Sequence, residues 1–159
     1  VRPPKSKRPE GDPRRLALDL LARREHSAAE LRRKLTRRGV ASGEAAELVG
    51  DLAGARLQSD ERFAEQYAAS RRERGYGPLR IAAELRERGV PDPLIGRFVD
   101  AHDPEWVERA RAVRRKRFGA PGGPRDLRER ARQARFLQYR GFSPAQVRAV
   151  LGDGDGDGD

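Results

Sequence analysis

One short pattern recurs three times and limits what this chain can fold into. Leu35-x-x-x-Gly39-Val40, Leu85-x-x-x-Gly89-Val90 and Leu137-x-x-x-Gly141-Phe142 each set a leucine four residues before a glycine, with an apolar residue just after it. In a helix ending of the Schellman kind the glycine takes the left-handed conformation that a Cβ disfavours, and the next residue folds back on the leucine. The three glycines lie 50 and 52 residues apart, a spacing that reads as an internal repeat. Behind each glycine, apolar residues stand at matched offsets: Ala45, Leu48, Val49; Ile95, Phe98, Val99; Val147, Val150, Leu151. Each repeat is therefore expected to hold a helical hairpin.

A lead-in helix precedes each hairpin, over about 13–25, 61–74 and 105–118, carried by the stripes Leu16, Leu20, Leu21; Phe63, Ala64, Tyr67, Ala68; and Trp106, Ala110, Val113. Helix starts share one chemistry. Asp12-Pro13, Gly77-Pro78, Asp92-Pro93, Asp103-Pro104 and Ser143-Pro144 put a capping residue before a proline that suits the first helical position. Ser27 and Glu30 have the spacing of a capping box. No stretch alternates apolar and polar residues as a half-buried strand would. The expectation is an all-α chain of nine helices in three tandem three-helix repeats, bounded at 13–57, 58–103 and 104–151. Residues 1–12 read as a disordered basic arm and 152–159 as a disordered Gly/Asp tail.

Hydrophobic residues make up 36% and charged residues 38%, a thin apolar supply that suits an extended array whose units cover one another. The formal net charge is +10. Four of the 35 basic residues are lysine (Lys5, Lys7, Lys34, Lys116), so arginine supplies the other 31. The planar guanidinium fork fits phosphate and carboxylate, which points to an anionic partner such as nucleic acid or an acidic protein groove. The bland alternative is a set of solvated helix faces.

Catalytic signatures are missing. With no cysteine, disulfides, thiolate metal sites and cysteine nucleophiles are excluded, and a reducing cytoplasm is the expected location. No apolar run is long enough to span a membrane, and residues 1–13 lack the apolar region of a secretory signal. His26 and His102 stand alone and read as structural residues at helix ends; no cofactor or metal is expected. There is no P-loop and no serine with a motif-level general base. Asp153, Asp155 and Asp157 resemble the start of a calcium loop but lack the glutamate that would complete it. The chain is expected not to be an enzyme.

The basic clusters are the candidate binding residues. Arg32, Arg33 and Arg37, with Arg38, load the first hairpin. Arg71, Arg72 and Arg74 end the second lead-in helix, where cations also suit the helix dipole. Arg80, Arg86 and Arg88 follow, and Arg114, Arg115, Lys116 and Arg117 end the third lead-in helix. The competing reading pairs them with Glu30, Glu65, Glu73, Glu84 and Glu87. Arg71 continues the Phe63–Tyr67 stripe, so it either snorkels from the core edge or meets a carboxylate.

Around the middle repeat, Asp60-Glu61-Arg62-Phe63-Ala64, Arg74-Gly75-Tyr76-Gly77-Pro78-Leu79-Arg80-Ile81 and Glu84-Leu85-x-x-x-Gly89-Val90 resemble the RecX family. Arg135-Phe136-Leu137-Gln138-Tyr139-Arg140-Gly141-Phe142 in the last repeat and Trp106 in the third lead-in helix do so too. The resemblance runs from about Arg14 to Leu151. It departs at Gln58-Ser59-Asp60, where the family often has Leu-Asp-Asp, so Ser59 is expected to share or replace a capping role. The resemblance implies a curved, extended, cytoplasmic monomer. It also implies binding to the RecA filament on DNA and inhibition of recombinase, ATPase and coprotease activities, which modulates homologous recombination, DNA repair and the SOS response. Weak direct binding to single- or double-stranded DNA is a further expectation. The rival is an independent helical DNA-binding protein, against which Ala41–Val49 and Pro91–Val99 open without base-reading side chains.

Overall fold

A computed structural model describes residues 11–119 and 123–152. Among them are nine helices and no strand: α1 Pro13–Arg23, α2 Ala28–Arg37, α3 Ser42–Gly54, α4 Asp60–Glu73, α5 Pro78–Glu87, α6 Asp92–Phe98, α7 Glu105–Phe118, α8 Leu127–Arg140 and α9 Pro144–Leu151. The readings of residues 1–10 and 153–159, including the calcium-loop resemblance, lie outside the described residues. None of the described helices is long and apolar enough to cross a membrane. By its contacts the chain divides into two compact units, Val1–Tyr67 with Leu85–Ile95, and Ala68–Glu84 with Gly96–Asp159.

In the first unit, α1, α2 and α3 enclose a core of Ala17, Leu31, Leu35, Val40, Ala45, Val49 and Leu52. The predicted helix ends are present. Gly39 has φ 94° and Gly89 has φ 77°, while the Val40 N–H donates to Leu35 O at 3.1 Å and the Val90 N–H to Leu85 O at 3.1 Å. Burial of Val40 and Val90 completes the Schellman contact. Ser27 and Glu30 form the capping box of α2, and the Ser27 hydroxyl donates to Arg88 O at 2.6 Å. The start of α2 thus satisfies an orphan carbonyl at the end of α5. At Gly89 the two elements touch so closely that a Cβ would stand 2.5 Å from that of Ala29.

The departure at residues 58–60 has a structural account. Ser59 Oγ accepts the Arg62 N–H at 3.1 Å and caps α4. Asp60 Oδ1 instead accepts the Ala28 N–H at 2.8 Å, capping α2 from outside. Gln58 Nε2 donates to both Asp60 Oδ1, at 3.1 Å, and His26 O, at 3.2 Å. His26 itself is 1% exposed, with Nδ1 at 3.0 Å from Arg24 O and Nε2 at 2.9 Å from Lys34 Nζ. It lies just past the end of α1, in the structural role expected of it.

The second unit packs Trp106 and Ala110 of α7, Leu137 of α8, Phe142, and Val147 of α9. Gly141 has φ 99°, and the Phe142 N–H donates to Leu137 O at 3.1 Å. The start of α5 docks on this helix end: Gly77 N–H donates to Arg140 O at 2.7 Å and Leu79 N–H to Gly141 O at 3.0 Å. A Cβ on Gly77 would lie 2.4 Å from the Gly141 carbonyl carbon and the Phe142 nitrogen, so the contact is backbone on backbone. Ser143 and Gln146 form a second capping box, at α9.

Two predicted helix starts are corrected. Leu94 and Ile95 both donate to Pro91 O, at 3.0 and 3.1 Å, so Pro91 opens α6 and Asp92 lies inside it. The Asp92 carboxylate holds Arg86 at 2.8 Å instead of capping. In α7 the N-cap is Pro104, although Asp103 still accepts the Glu105 N–H at 2.9 Å. Two helix ends of the repeated kind escaped the glycine pattern. Leu57 N–H donates to Leu52 O at 2.9 Å around Arg56, a non-glycine residue at φ 59°. Tyr76 N–H donates to Arg71 O at 3.1 Å around Gly75 at φ 84°.

Candidate functional site

The end of α4 sorts its arginines by what each can reach. Arg71 holds the place that leucine holds in the other endings, and Tyr76 holds that of the apolar follower. The usual apolar contact becomes a cation–π contact, with the Arg71 guanidinium 4.1 Å from the Tyr76 ring centre. Arg71 also grips Glu84 with two bonds, Nε to Oε2 at 2.8 Å and Nη2 to Oε1 at 2.6 Å. Arg80 donates to the same carboxylate at 3.1 Å and lies 4.4 Å from the Tyr76 ring. That bond to Glu84 raises the Arg80 pKa above its ordinary value. Arg140 completes the set at 5.0 Å from the ring. Of the two readings of Arg71, pairing with a carboxylate is the one observed, through α5 rather than through helical spacing on α4.

Arg72 is equally committed. It donates to Phe98 O at 3.0 Å and lies 5.1 Å from the Trp106 ring. Arg74 is exposed, and among the described residues its side chain has no hydrogen-bond or ion-pair partner. The C-terminal turn of α7 offers a second group. Arg114 donates to Gln133 at 2.8 Å. Arg115 and Lys116 are exposed. Arg117 lies 5.3 Å from the Phe118 ring and 5.9 Å from that of Phe136.

These two groups meet. A cleft of about 450 Å³ between the end of α4, α7 and α8 is lined by Arg72, Arg74, Arg109, Lys116, Arg117 and Arg140, with Glu73 as its one carboxylate. Val113 and Phe136 supply apolar lining. Four of the six cations were candidates from the sequence. Arg109 was missed, although it precedes Val113 and Lys116 by four and seven residues and so shares their helix face. Arg140 had no such signal, because only the docking of the α8 end beside Tyr76 brings it here, with Nη1 donating to Arg74 O at 3.1 Å. Arg109 is held by Glu105, Nη2 to Oε1 at 2.8 Å; the arrangement suits an anion with several acceptor oxygens, since the other guanidinium forks and an ammonium converge with Glu73 as the one carboxylate in the lining.

In the first unit, Arg33 donates to Glu87 O at 3.1 Å. It lines a shallower hollow with Lys34, Arg37 and Arg88, where Glu30 and Glu87 offset half of the positive charge. Glu30 is bound by Arg24 at 3.3 Å and Arg88 at 3.5 Å. Arg32 is exposed beside this group. Among the described residues no cluster of three His, Asp or Glu side chains is placed to hold a metal ion.

Comparison with known proteins converges on one family. The chain matches three domain descriptions in order: RecX first three-helix domain at residues 14–52, second at 59–97 and third at 103–151. It is 51% identical over 141 residues to the regulatory protein RecX of Halorhodospira halophila, covering 89% of this chain and 87% of that one. With the regulatory protein RecX of Chromohalobacter salexigens it shares 47% identity over 142 residues, covering 89% and 92%. The crystal structure of RecX from Lactobacillus salivarius superimposes with a TM-score of 0.73 at 18% identity, over 87% of this chain and 92% of that one, which establishes likeness of fold.

Proposed function

The chain belongs to the RecX family of regulatory proteins, and on that premise we propose that it binds the RecA nucleoprotein filament and inhibits its recombinase, ATPase and coprotease activities. It does so by occupancy, without chemistry of its own, and thereby modulates DNA repair and the SOS response. The observation that carries this reading is the convergence of Arg72, Arg74, Arg109, Lys116, Arg117 and Arg140 on one cleft. A filament presents repeated carboxylates and a DNA backbone, and several moderate contacts spread along it add up through avidity.

Within this proposal, the contact falls to cations whose side chains are not already held by the protein itself. Arg71 and Arg80 are held by Glu84 and Tyr76, and Arg72 by Phe98 O, so these three position the cleft. Arg74 and Lys116 are the exposed cations best placed to meet a partner. A well-placed charge-assisted bond contributes about 1.5–3 kcal/mol, so losing both contacts weakens binding by roughly a hundredfold or more. The test is RecA ATPase on single-stranded DNA, titrated with the protein and with Arg74→Glu/Lys116→Glu. Inhibition by the parent and its loss in the folded variant support the reading. Full inhibition by the variant removes the cleft from the contact, and indifference of RecA to the parent removes the proposed function.

A further inference from the structure

Lys34, in the first unit, has an imidazole for its nearest partner. Glu30 stands four residues before it on α2, the spacing of a helical ion pair, yet the two form no ion pair among the described residues. Both Glu30 oxygens are taken elsewhere: Oε2 by Arg24 at 3.3 Å and the Ser27 N–H at 3.2 Å, and Oε1 by Arg88 at 3.5 Å. Lys34 Nζ lies instead 2.9 Å from Nε2 of His26. The tautomer of that imidazole is fixed. Its Nδ1 is 3.0 Å from Arg24 O, and a carbonyl only accepts, so Nδ1 carries the proton and Nε2 turns a lone pair to Lys34. Burial lowers the His26 pKa, which keeps the ring neutral and able to take a proton.

The amine itself is poised for attack. Burial, more than any other cause, lowers the Lys34 pKa below 10.5; Arg24, Arg23 and Arg37 act in the same direction and Glu30 against them. A lysine becomes a nucleophile where its surroundings favour the uncharged amine. Lys34 is not enclosed: it is partly exposed and lines the hollow of about 270 Å³ where Arg33, Arg37 and Arg88 outnumber Glu30 and Glu87. Arg33 and Arg37 are exposed there, and their guanidinium groups suit a small phosphate-bearing molecule.

We propose that Lys34 is a modification site, acylated on Nζ by a small acyl phosphate, with His26 as its base and Arg33 and Arg37 as the cradle for the phosphate. The unprotonated Nζ attacks the acyl carbonyl carbon, and an N–C bond forms. The proton released from that nitrogen passes to His26 Nε2. The C–O bond to phosphorus's oxygen breaks, and the departing phosphate carries that proton away, so the imidazole returns to its neutral form. The product amide keeps one N–H for His26, so the hydrogen bond survives while the charge is lost. The hollow then holds three cations where it had four. The step involves no RecA, so it stands or falls apart from the filament reading.

The other lysines, Lys5, Lys7 and Lys116, provide internal references. The full chain is exposed briefly to acetyl phosphate at several pH values and then unfolded. Its remaining amines are capped with an isotopically heavy acetyl group, and peptide masses give the occupancy of each lysine. Lys116, exposed among the cations of the cleft, is the main comparison. Lys34 is expected to react faster than Lys116, with a half-maximal rate below pH 10.5, and to be slowed by added inorganic phosphate. Its lead should be lost in His26→Gln and in Arg37→Gln, while Lys116 keeps its rate; circular dichroism checks that both variants are folded. Arg37 is exposed, so its variant decides the matter even if His26→Gln unfolds. A Lys34 no faster than Lys116 would overturn the proposal. So would a lead that persists in either folded variant, or in the parent unfolded in guanidinium chloride, since the hollow would then not be its source.

Discussion

At the scale of single residues, the strongest commitment is Glu84, a carboxylate serving two arginines at the edge of the second unit. The Arg71 and Glu84 side chains are 20% and 15% exposed, so this pair is better shielded than Arg109–Glu105 and Arg111–Glu108 on α7. Glu84→Gln would leave two guanidinium groups around an uncharged amide. A cost of about 1–3 kcal/mol is expected, read as a lower urea midpoint with unchanged helicity. His26 gives a pH dependence. Burial, more than any other cause, lowers its pKa below 6.5, with Arg24 and Lys34 acting in the same direction. Protonation therefore favours the unfolded chain. The contribution is complete above pH 6.5 and is lost as the pH falls through the lowered folded value. Between pH 7.5 and 5 the urea midpoint of the parent should fall more than that of His26→Gln; parallel curves would show that His26 is not the titrating group.

At the scale of elements, the glycines of the repeated ending have a second duty. Gly89 and Gly141 not only turn the chain but receive the start of a hairpin helix, α2 in one unit and α5 in the other. At Gly141, orphan N–H groups at the start of α5 meet the carbonyls of Arg140 and Gly141; at Gly89, the Ser27 hydroxyl meets the Arg88 carbonyl. Gly89→Val combines a strained backbone with a collision at Ala29, and Gly77→Ala pushes a methyl into the backbone of Gly141. Both are expected to lower stability by about 2 kcal/mol or more. Arg56 offers the opposite case. It adopts φ 59° where a glycine would be unstrained, so Arg56→Gly should stabilise the protein by roughly 0.5–1 kcal/mol despite the added freedom of the unfolded chain. Thermal unfolding of the three variants checks both signs.

At the scale of the whole molecule, a net charge of +10 makes association with any polyanion dependent on salt. The proposed binding to a RecA filament on single-stranded DNA, followed by fluorescence anisotropy, should weaken as salt rises. Arg74→Glu/Lys116→Glu should lower the affinity and flatten that dependence. A slope equal to that of the parent would mean that the two residues form no ionic contact with the filament.

The sequence by itself determined the helical class, the threefold repetition and most helix boundaries, because these follow from local rules: apolar spacing, proline and capping chemistry, and a glycine where the backbone must turn left-handed. Family membership was legible in the same way, from residues clustered around Gly75-Tyr76-Gly77 and Phe136–Phe142. Tertiary structure decided which arginines are occupied and which are available. Arg71 and Arg74 stand three residues apart at the end of α4, yet one is bound to a carboxylate on α5 and the other is exposed, and no local sequence signal foretells which meets a carboxylate. Arg140 joins the cleft because the end of α8 docks on Gly77, a contact across 63 residues that no periodicity announces. Charge can be counted along a chain, but whether a charge is free depends on partners that folding brings from elsewhere.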